Sequence, residues 1–499
     1  MLHPILFSDE ITVWWDKQWE LPDGVLYRIS LNGVPVTETV LTHASLRGLL
    51  PKTPYTVKVE RVEGEAVLEV LGILHLTTPP EKRRIDVTAA PYCAVPDGVT
   101  VNTEALQRAI RDCTPDACVY FPKGVFLTGA LDLHSDTELY LEEGATLQGT
   151  ATVEDYQPKI PSRFEGIEMM CYRSLLNIGT LDHTAGPNCR NIVIRGGGSV
   201  LGGGAAHAEA IMESERLRLR DYLAANEEYV KTCENDNTIP GRARSRLLNI
   251  SNCENVILAN VTFGYAASWN IHMTYSRHIV TYGCRILSRG VWNGDGWDPD
   301  SSEDCVIFDT YFETHDNSIA IKSGKNPEGN VIGRPTVGVR IFNCRGGQCM
   351  AVGSEMSGGI SEVDIWDCDF TDSLSGIGIK VTDKRGGYVH GIRVRNCRFV
   401  NLRARRVTFN DDGEAAPTMP IVEDVLFQNV TLTGIAVDLA GEKRPTEVLF
   451  MAGPADEAHY FRRMTFDGIR IPARPDAIES IRLGGVRELT IRDLSFIEE

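Results

Sequence analysis

Two aspartates, Asp295 and Asp316, are the residues whose type and spacing could do chemistry together. They lie 21 residues apart, about one lap of a chain that winds in short regular coils. Neighbouring coils of such a chain stack roughly 4.8 Å apart, which would put one carboxyl group beside the other. Two carboxyl groups that face one sugar linkage are what glycoside hydrolysis requires. The hypothesis therefore depends on whether the chain coils at this period.

A repeated phrase predicts that it does. Each copy has a turn, an alternating strand and a closing Phe, Leu or Ile, and the closing residues Phe263, Leu287 and Phe312 fall 24 and 25 residues apart. Self-similarity at this period, built from short strands, indicates an all-β solenoid of parallel strands. We expect many cysteines, such as Cys368 and Cys397, to stack inside it, since buried cysteine behaves as a small hydrophobe. The copies are NCENVILANVTF (252–263), YSRHIVTYGCRIL (275–287), SEDCVIFDTYF (302–312), ISEVDIWDCDF (360–370), VHGIRVRNCRF (389–399), VEDVLFQNVTL (422–432), YFRRMTFDGIRI (460–471) and VRELTIRDLSF (486–496).

Other segments divide the chain. Residues 1–80 alternate apolar and polar side chains, which predicts a β-sandwich of fibronectin type III character with Tyr55 as its tyrosine corner. Residues 77–84 are predicted to be a linker, and residues 85–499 are predicted to form the solenoid. A helix is predicted near 103–110, where it would cap the first coil. The helix-forming stretch 205–232 interrupts the repeats. It is either a solvated insertion or a wall beside a cleft.

Composition narrows the class of partner. The 499 residues carry a net charge of −18, which argues against nucleic acid or an anionic membrane. The 13 cysteines include no CxxC pair, so neither a zinc nor a thioredoxin-like site is expected, and we predict no metal and no cofactor. The first residues contain no signal-peptide pattern. Together with free thiols this predicts a cytoplasmic protein of unknown oligomeric state.

Several phrases resemble glycoside hydrolase family 28, the polygalacturonases and their relatives, and the N-terminal module resembles the bacterial exo-acting branch. They are DGVTVNTEALQRAI, VYFPKG, SRLLNISNCENV, SWNIH, NGDGWDPDSS, THDNSIAIKSGK and VGSEMSGG, in the family's order. The resemblance implies a right-handed parallel β-helix and hydrolysis with inversion of configuration. The implied substrate is a pectin-derived oligosaccharide.

The resemblance also implies site residues. Asp295 and Asp316 fall on catalytic carboxylates, Asp316 on the general acid, and Asn317 stands where the family has a further aspartate and would position water. The implied substrate contacts are His272, Asn293, His315, Lys322, Gln348, Lys380 and Tyr388. A histidine expected near Gly347, Gln348 and Cys349 is absent, and Gly378 replaces an arginine. Since a lysine cannot reproduce the bidentate grip of arginine on a carboxylate, a neutral sugar or a rhamnogalacturonan-type fragment is also considered as substrate.

Each of these residues has a plainer interpretation. Asp295 lies between glycines and could be a turn aspartate. His272 could be a buried structural histidine, and Lys380 a solvated lysine. Asn317, His315 and Tyr388 could serve turns or the surface.

Two other functions compete with hydrolysis. One is a non-catalytic carbohydrate-binding solenoid, favoured by the departures from the family pattern. The other is a polysaccharide lyase, since lyases of this fold use calcium and a basic side chain. A comparison of wild type with Asp295→Asn on pectic fragments would separate the first alternative from a hydrolase.

Overall fold

The computed structural model describes residues 1–17, 21–22, 24–232, 243–408, 413–473 and 480–498. The chain forms two compact units, Met1–Arg84 and Ile85–Glu499. No helix in these described parts is both long and apolar enough to cross a lipid bilayer.

The first unit is a β-sandwich. Trp15 and Tyr27 meet edge to face in its core, with ring centroids 5.1 Å apart. The Tyr55 hydroxyl accepts a hydrogen bond from the Leu50 N–H at 2.9 Å, which is the contact of a tyrosine corner. The fibronectin type III assignment itself stays a prediction. One sheet contains Leu2–Leu6, Glu10–Trp15 and His43–Arg47, and the other Val34–Thr39, Val25–Leu31, Pro54–Glu63 and Ala66–Thr77.

The second unit is a right-handed parallel β-helix with three long sheets, as the repeats and the resemblance predicted. The first sheet contains Arg83–Asp86, Ala117–Phe121, Glu138–Leu141, Cys189–Gly196, Cys253–Ala259, Arg277–Tyr282, Glu303–Phe308, Thr336–Phe342, Ile360–Trp366, Tyr388–Arg395, Ile421–Gln428, Phe461–Asp467 and Val486–Arg492. The second contains Asp97–Val101, Gly124–Thr128, Ala145–Gly149, Ser199–Leu201, Thr262–Gly264, Arg285–Leu287, Tyr311–Glu313, Arg345–Gly346, Asp369–Phe370, Arg398–Phe399, Thr431–Leu432, Arg470–Pro472 and Ser495–Ile497.

The third sheet, called the groove sheet below, positions the two aspartates. It contains Leu131–Leu133, Leu176–Ile178, Leu248–Ser251, Ile271–Thr274, Trp297–Asp300, Ile319–Ile321, Met350–Val352, Ile377–Val381, Leu402–Arg406, Leu449–Ala452 and Ile481–Gly484. Two antiparallel hairpins interrupt the coils, Ile160–Phe164 with Ile167–Cys171 and Ile435–Val437 with Lys443–Pro445.

The turn from the first sheet to the second explains the repeated phrase. One residue in each turn adopts the left-handed conformation, which glycine, asparagine and aspartate tolerate better than other residues do. The next residue points inward and is buried, as Cys284, Cys368 and Cys397 show. The prediction that these cysteines stack in the interior is confirmed. The left-handed residues are Asn260, Gly283, Asp309, Asn343, Asp367, Asn396, Asn429, Gly468 and Asp493.

Helices lie at the first coil, in the insertion and in one loop. They are Thr103–Arg111, Gly204–Arg218, Arg220–Ala225, Glu227–Thr232 and Glu328–Ile332, with 3₁₀ turns at Val153–Tyr156 and Glu457–His459. Thr103–Arg111 buries Leu106, Ala109 and Ile110 against the first coil, as predicted for a cap. Gly204–Arg218 packs Ile211 against Tyr156 and Tyr172.

Candidate active site

Asp295 and Asp316 each lie shortly before a strand of the groove sheet. Trp297 and Ile319 of those two strands are register partners, so the residues before them lie on neighbouring coils. The side-chain nitrogen Nδ2 of Asn317 lies 2.9 Å from Asp316 Oδ1 and 3.5 Å from Asp295 Oδ2. One amide group thus lies between the two carboxyl groups. The structure brings the pair together as the coil spacing predicted.

The orientation of the Asn317 amide follows from its other neighbours. Lys380 Nζ lies 3.0 Å from Asn317 Oδ1, and the Cys349 thiol donates to the same oxygen at 2.9 Å. A lysine ammonium has only protons to offer, so the amide oxygen must face it. The amide N–H groups therefore point to the carboxyl groups of Asp295 and Asp316. Asn317 and Lys380 contribute to the site by fixing these groups.

The two oxygens of Asp316 are not equivalent. Oδ1 accepts from the Asn317 backbone N–H at 2.8 Å and from its side-chain amide. An oxygen that already accepts two N–H groups is the poorer place for a proton, so Oδ2 is the oxygen that can carry one. The side chain is partly exposed, which lets that oxygen meet a ligand in the groove.

Asp295 is buried, with 3% of its surface exposed. Its Oδ2 faces Asn317 and Lys322, whose Nζ is 3.4 Å away. Its Oδ1 has no hydrogen-bond partner among the described residues. Buried carboxylate oxygens normally have a partner, and water commonly fills the role. Oδ1 is thus the atom of the site suited to hold a water molecule.

Lys322 connects three carboxyl groups beneath the groove. Its Nζ lies 3.4 Å from Asp295, 3.2 Å from Asp298 and 3.5 Å from Glu355. Burial raises the pKa of Asp295 well above its ordinary value and that of Asp298 to about 7, while the Lys322 charge opposes both shifts. Burial alone would lower the pKa of Lys322, but the surrounding carboxylates raise it. Lys322 therefore keeps Asp295 more acidic than burial alone would leave it.

The position of Lys322 revises its predicted role. The side chain is 4% exposed, and its Nζ lies 3.3 Å from the centroid of the Trp269 ring, a cation–π contact. With three carboxylates and an indole around it, the ammonium group has no face left for a sugar. Lys322 is a partner of the aspartates rather than a substrate contact.

His272 is also revised, because it is completely buried. Its Nε2–H donates to Asp300 Oδ2 at 3.2 Å, and burial lowers the pKa of the imidazole to about 4, so the ring is neutral near pH 7. Arg163 Nη1 lies 2.8 Å from the other oxygen of Asp300. Burial opposes ionisation of Asp300, but the Arg163 charge lowers the pKa of that carboxyl below its ordinary range. His272 supports Asp300 and does not reach the groove.

Arg163 belongs to the hairpin Ile160–Phe164 with Ile167–Cys171, named here the cover hairpin. Ser162 Oγ donates to Asn249 Oδ1 at 2.9 Å, and Phe164 stacks on Trp269 with ring centroids 5.1 Å apart. The carbonyl oxygen of Gly166 at its tip accepts from the Lys325 N–H at 2.9 Å. The hairpin thus crosses the groove sheet and buries its outward side chains on the amino-terminal side of Asp295. Towards later coils, Gly378, Lys380 and Arg403 remain partly exposed.

The remaining predicted contacts are spread out. Asn293 accepts from Arg244, and His315 Nδ1 accepts from the Gly290 N–H at 3.2 Å, so both fix loops at the groove edge. Gln348 lines a cavity of about 520 Å³ next to Thr314.

Tyr388 begins a strand of the first sheet, and its ring covers Gly359. Its predicted role as a sugar-stacking residue stays a prediction.

Sequence reasoning missed Asp298, Trp269 and Arg163. The first two lie inside phrases that were recognised, NGDGWDPDSS and SWNIH, and strand alternation would have placed Asp298 beside the pair. Arg163 had no such signal, since it lies 137 residues from its partner Asp300 in a segment without repeats.

One group of described residues has the spacing of metal ligands, His390 with Glu423 and Asp424. Both carboxylates already pair with arginines, Glu423 with Arg462 and Asp424 with Arg463. The group lies on the first sheet, away from the groove strands. A metal ion held by this group would not lie at the aspartate pair.

Comparison with known proteins agrees with this geometry. The sequence profile described as glycosyl hydrolases family 28 matches residues 121–474. The chain belongs to this family. It is therefore a glycosidase, and its substrates are of the pectin type.

Relatives and solved structures agree. The chain is 26% identical over 480 residues to "Exo-poly-alpha-D-galacturonosidase" of Dickeya chrysanthemi, covering 91% of this chain and 77% of that protein. It is 28% identical over 378 residues to "Probable polygalacturonase" of Vitis vinifera, covering 71% and 70%. The family 28 exopolygalacturonase structure from Yersinia enterocolitica superimposes with a TM-score of 0.81 at 20% identity, covering 100% of this chain and 97% of that one. This last likeness supports the fold of the whole chain.

Proposed function

We propose that this family 28 member is an exo-acting, inverting hydrolase that removes sugar from the end of galacturonate-containing pectic oligosaccharides. The observation that carries the proposal is the Asp295–Asp316 pair at a groove that the cover hairpin closes on one side. Several similar proteins are named as exo-galacturonosidases or exopolygalacturonases, which supports the same substrate class and mode.

In the proposed mechanism, Asp316 is the acid. Its Oδ2 gives a proton to the oxygen of the leaving sugar while the bond from that oxygen to the anomeric carbon breaks. Asp295 Oδ1 takes a proton from a water molecule whose oxygen forms the new bond on the opposite face of the ring. The product then has the opposite anomeric configuration. Asn317 holds both carboxyl groups in these orientations, and its direct contact with the water stays a prediction.

The cover hairpin supports the exo mode. On the amino-terminal side of Asp295, Ser162 of the hairpin donates to Asn249 and Phe164 stacks on Trp269, so the hairpin covers the part of the sheet where further sugars would lie. A chain that enters from the open side places only its terminal part past the catalytic pair. An enzyme with a groove closed on this side would release one sugar at a time from the end of the chain.

A cytoplasmic location remains a prediction. The described cysteines are free, and most are buried in the solenoid, which agrees with a reducing compartment.

The test uses Asp295→Asn and Asp316→Asn variants with a trigalacturonate substrate. Wild type should release monosaccharide from the start, and NMR should show inverted configuration in the first product. Each variant should lose about 1,000-fold or more in kcat, because each removes a proton-transfer step. Asp304→Asn, at a half-exposed aspartate paired with Arg340, is the matched control and should keep wild-type activity.

Three results would contradict parts of the proposal. Intermediate-length products at early times would refute the exo mode, and a retained configuration would refute the inverting mechanism. If wild type bound pectic fragments without cleaving any of them, the carbohydrate-binding alternative would replace it.

A further inference from the structure

An outward-facing row of the groove sheet runs away from the catalytic pair. Strand register places Ala351 beside Gly378, Gly378 beside Arg403 and Arg403 beside Phe450. Gly378 leaves a gap in this row, since a Cβ built there would meet no atom closer than 3.9 Å. The next coil fills the neighbouring position with the longest cationic side chain. The gap is therefore bordered by a guanidinium-bearing residue.

The contacts of Arg403 hold it without using all its donors. Nη2 donates to Thr446 Oγ1 at 2.9 Å and lies 3.2 Å from a Glu447 carboxylate oxygen, while Nη1 lies 3.5 Å from Ser375 Oγ. Nε has no partner among the described residues, although it is closed to water. The side chain as a whole is 19% exposed. Because Nε is closed to solvent and Nη2 already has two partners, Nη1, with one contact 3.5 Å long, is the donor that Arg403 can offer to an anion.

Arg403 is also connected to the catalytic pair. Cys349, whose thiol donates to the Asn317 amide, directly precedes Met350, and the strand of Met350 pairs with the strand of Gly378. Lys380, two residues after Gly378 on the same strand, donates to that amide as well. The gap at Gly378 therefore lies between the aspartates and Arg403, on the side that the cover hairpin leaves open.

We propose that Arg403 binds the carboxylate of the uronic acid next to the cleaved linkage, in the space that Gly378 leaves free. This inference rests on the proposed function and names the substrate feature that its site selects. A hydrogen bond from a guanidinium N–H to a carboxylate is charge-assisted, which gives both affinity and selection for an acidic sugar. The glycine at 378 then does not imply a neutral substrate, because the cation comes from the adjacent coil.

The experiment compares Arg403→Gln with wild type on a galacturonate trimer and on its neutral methyl ester. Loss of a charged hydrogen-bond pair should lower kcat/KM on the acid by about 10- to 100-fold and on the ester by less than about threefold. Arg403→Lys should lie between the two, since a lysine keeps the charge but does not place a donor nitrogen where Nη1 lies. Arg406→Gln, on the same strand as Arg403, is the control and should behave as wild type, since Arg406 pairs with Asp383.

A rescue variant separates substrate binding from a structural role. Gly378→Arg combined with Arg403→Gln returns a guanidinium to the gap and should recover most of the preference for the acid. The thermal midpoints of all variants should stay within about 4 °C of wild type. Equal losses on acid and ester, or a rescue that fails in a folded protein, would overturn the assignment.

Binding measured by calorimetry keeps this inference distinct from the proposed function. If wild type cleaves neither trimer, the hydrolase proposal fails. If wild type still binds the acid more tightly than the ester and Arg403→Gln loses that difference, the assignment of Arg403 is supported. If Arg403→Gln keeps the difference, the assignment is overturned.

Discussion

At the scale of single residues, the site is governed by one buried lysine among carboxylates. Burial raises the pKa of Asp295, and Lys322 at 3.4 Å is the group that opposes this shift. A base must be ionised to accept a proton, so activity at low pH depends on that opposition. Lys322 therefore acts on the rate through the ionisation of its neighbour.

We predict that Lys322→Met moves the acidic limb of the kcat/KM pH profile to higher pH by about one unit or more. The sign follows because removing the positive charge raises the pKa of Asp295 further, so ionisation needs a higher pH. The measurement is the pH profile on a galacturonate trimer. Lys123→Met, at an exposed lysine of an early coil, should leave the limb in place. A limb that moves to lower pH would show that Asp295 is not the group observed.

The residue types explain which parts of the site could be predicted from the sequence. Asp295, Asp316 and Asn317 lie in short recognisable phrases, and coil spacing was enough to predict that they meet. Sequence placed Lys322 near the site but not beneath it, because its burial depends on Trp269 and on the hairpin above. Contacts made across 100 residues or more have no local signal.

At the scale of elements, the cover hairpin determines which side of the groove is open. Arg163 anchors it through Asp300, and both side chains are fully buried. The insertion Gly204–Arg218 supports its base from outside, where Glu215 pairs with Lys159 and accepts from the Tyr172 hydroxyl at 2.9 Å. Removal of one partner from a buried ion pair leaves a charge without compensation.

Arg163→Met should therefore lower the free energy of unfolding by about 3–5 kcal/mol. Chemical denaturation followed by circular dichroism measures this loss. Arg289→Met is a suitable comparison, since Arg289 is half-exposed and its pair with Glu313 is 3.5 Å long, and it should cost less than about 1 kcal/mol. Similar losses for the two variants would mean that the pair does not anchor the hairpin.

The sequence offered residues 205–232 as either a solvated insertion or a wall, and it gave no sign of the cover hairpin. Residues 205–232 stand out by composition, whereas the hairpin strands Ile160–Phe164 and Ile167–Cys171 are short and follow no repeat. An isolated two-stranded hairpin has little stability of its own, so its local sequence carries a weak signal. Its place over the sheet comes from tertiary contacts.

At the scale of the whole molecule, stacked side chains tie successive coils together. Tyr282, Phe308, Phe342 and Trp366 form a column on the first sheet, with ring centroids 4.4–5.1 Å apart. This is the spacing of the coils themselves, so each ring packs on the equivalent ring of its neighbours. The periodic part of the fold was predictable for this reason, because each lap repeats the same local requirements.

Phe342→Ala should lower the free energy of unfolding by about 3–5 kcal/mol, since it removes a fully buried ring between two others. The denaturant midpoint of the β-helix unit reports the change. Val331→Ala, at a side chain 86% exposed, should have almost no effect. A loss below about 1 kcal/mol for Phe342→Ala would mean that the column does not couple the coils.

The closed side of the groove has a consequence for bulk material. In the proposed exo mode the enzyme works only at chain termini, so its rate is limited by the number of ends and not by the mass of polymer present. A viscous pectic solution should therefore stay viscous while free sugar accumulates. A small amount of a mid-chain cutting enzyme, added first, should speed sugar release in proportion to the new ends it creates.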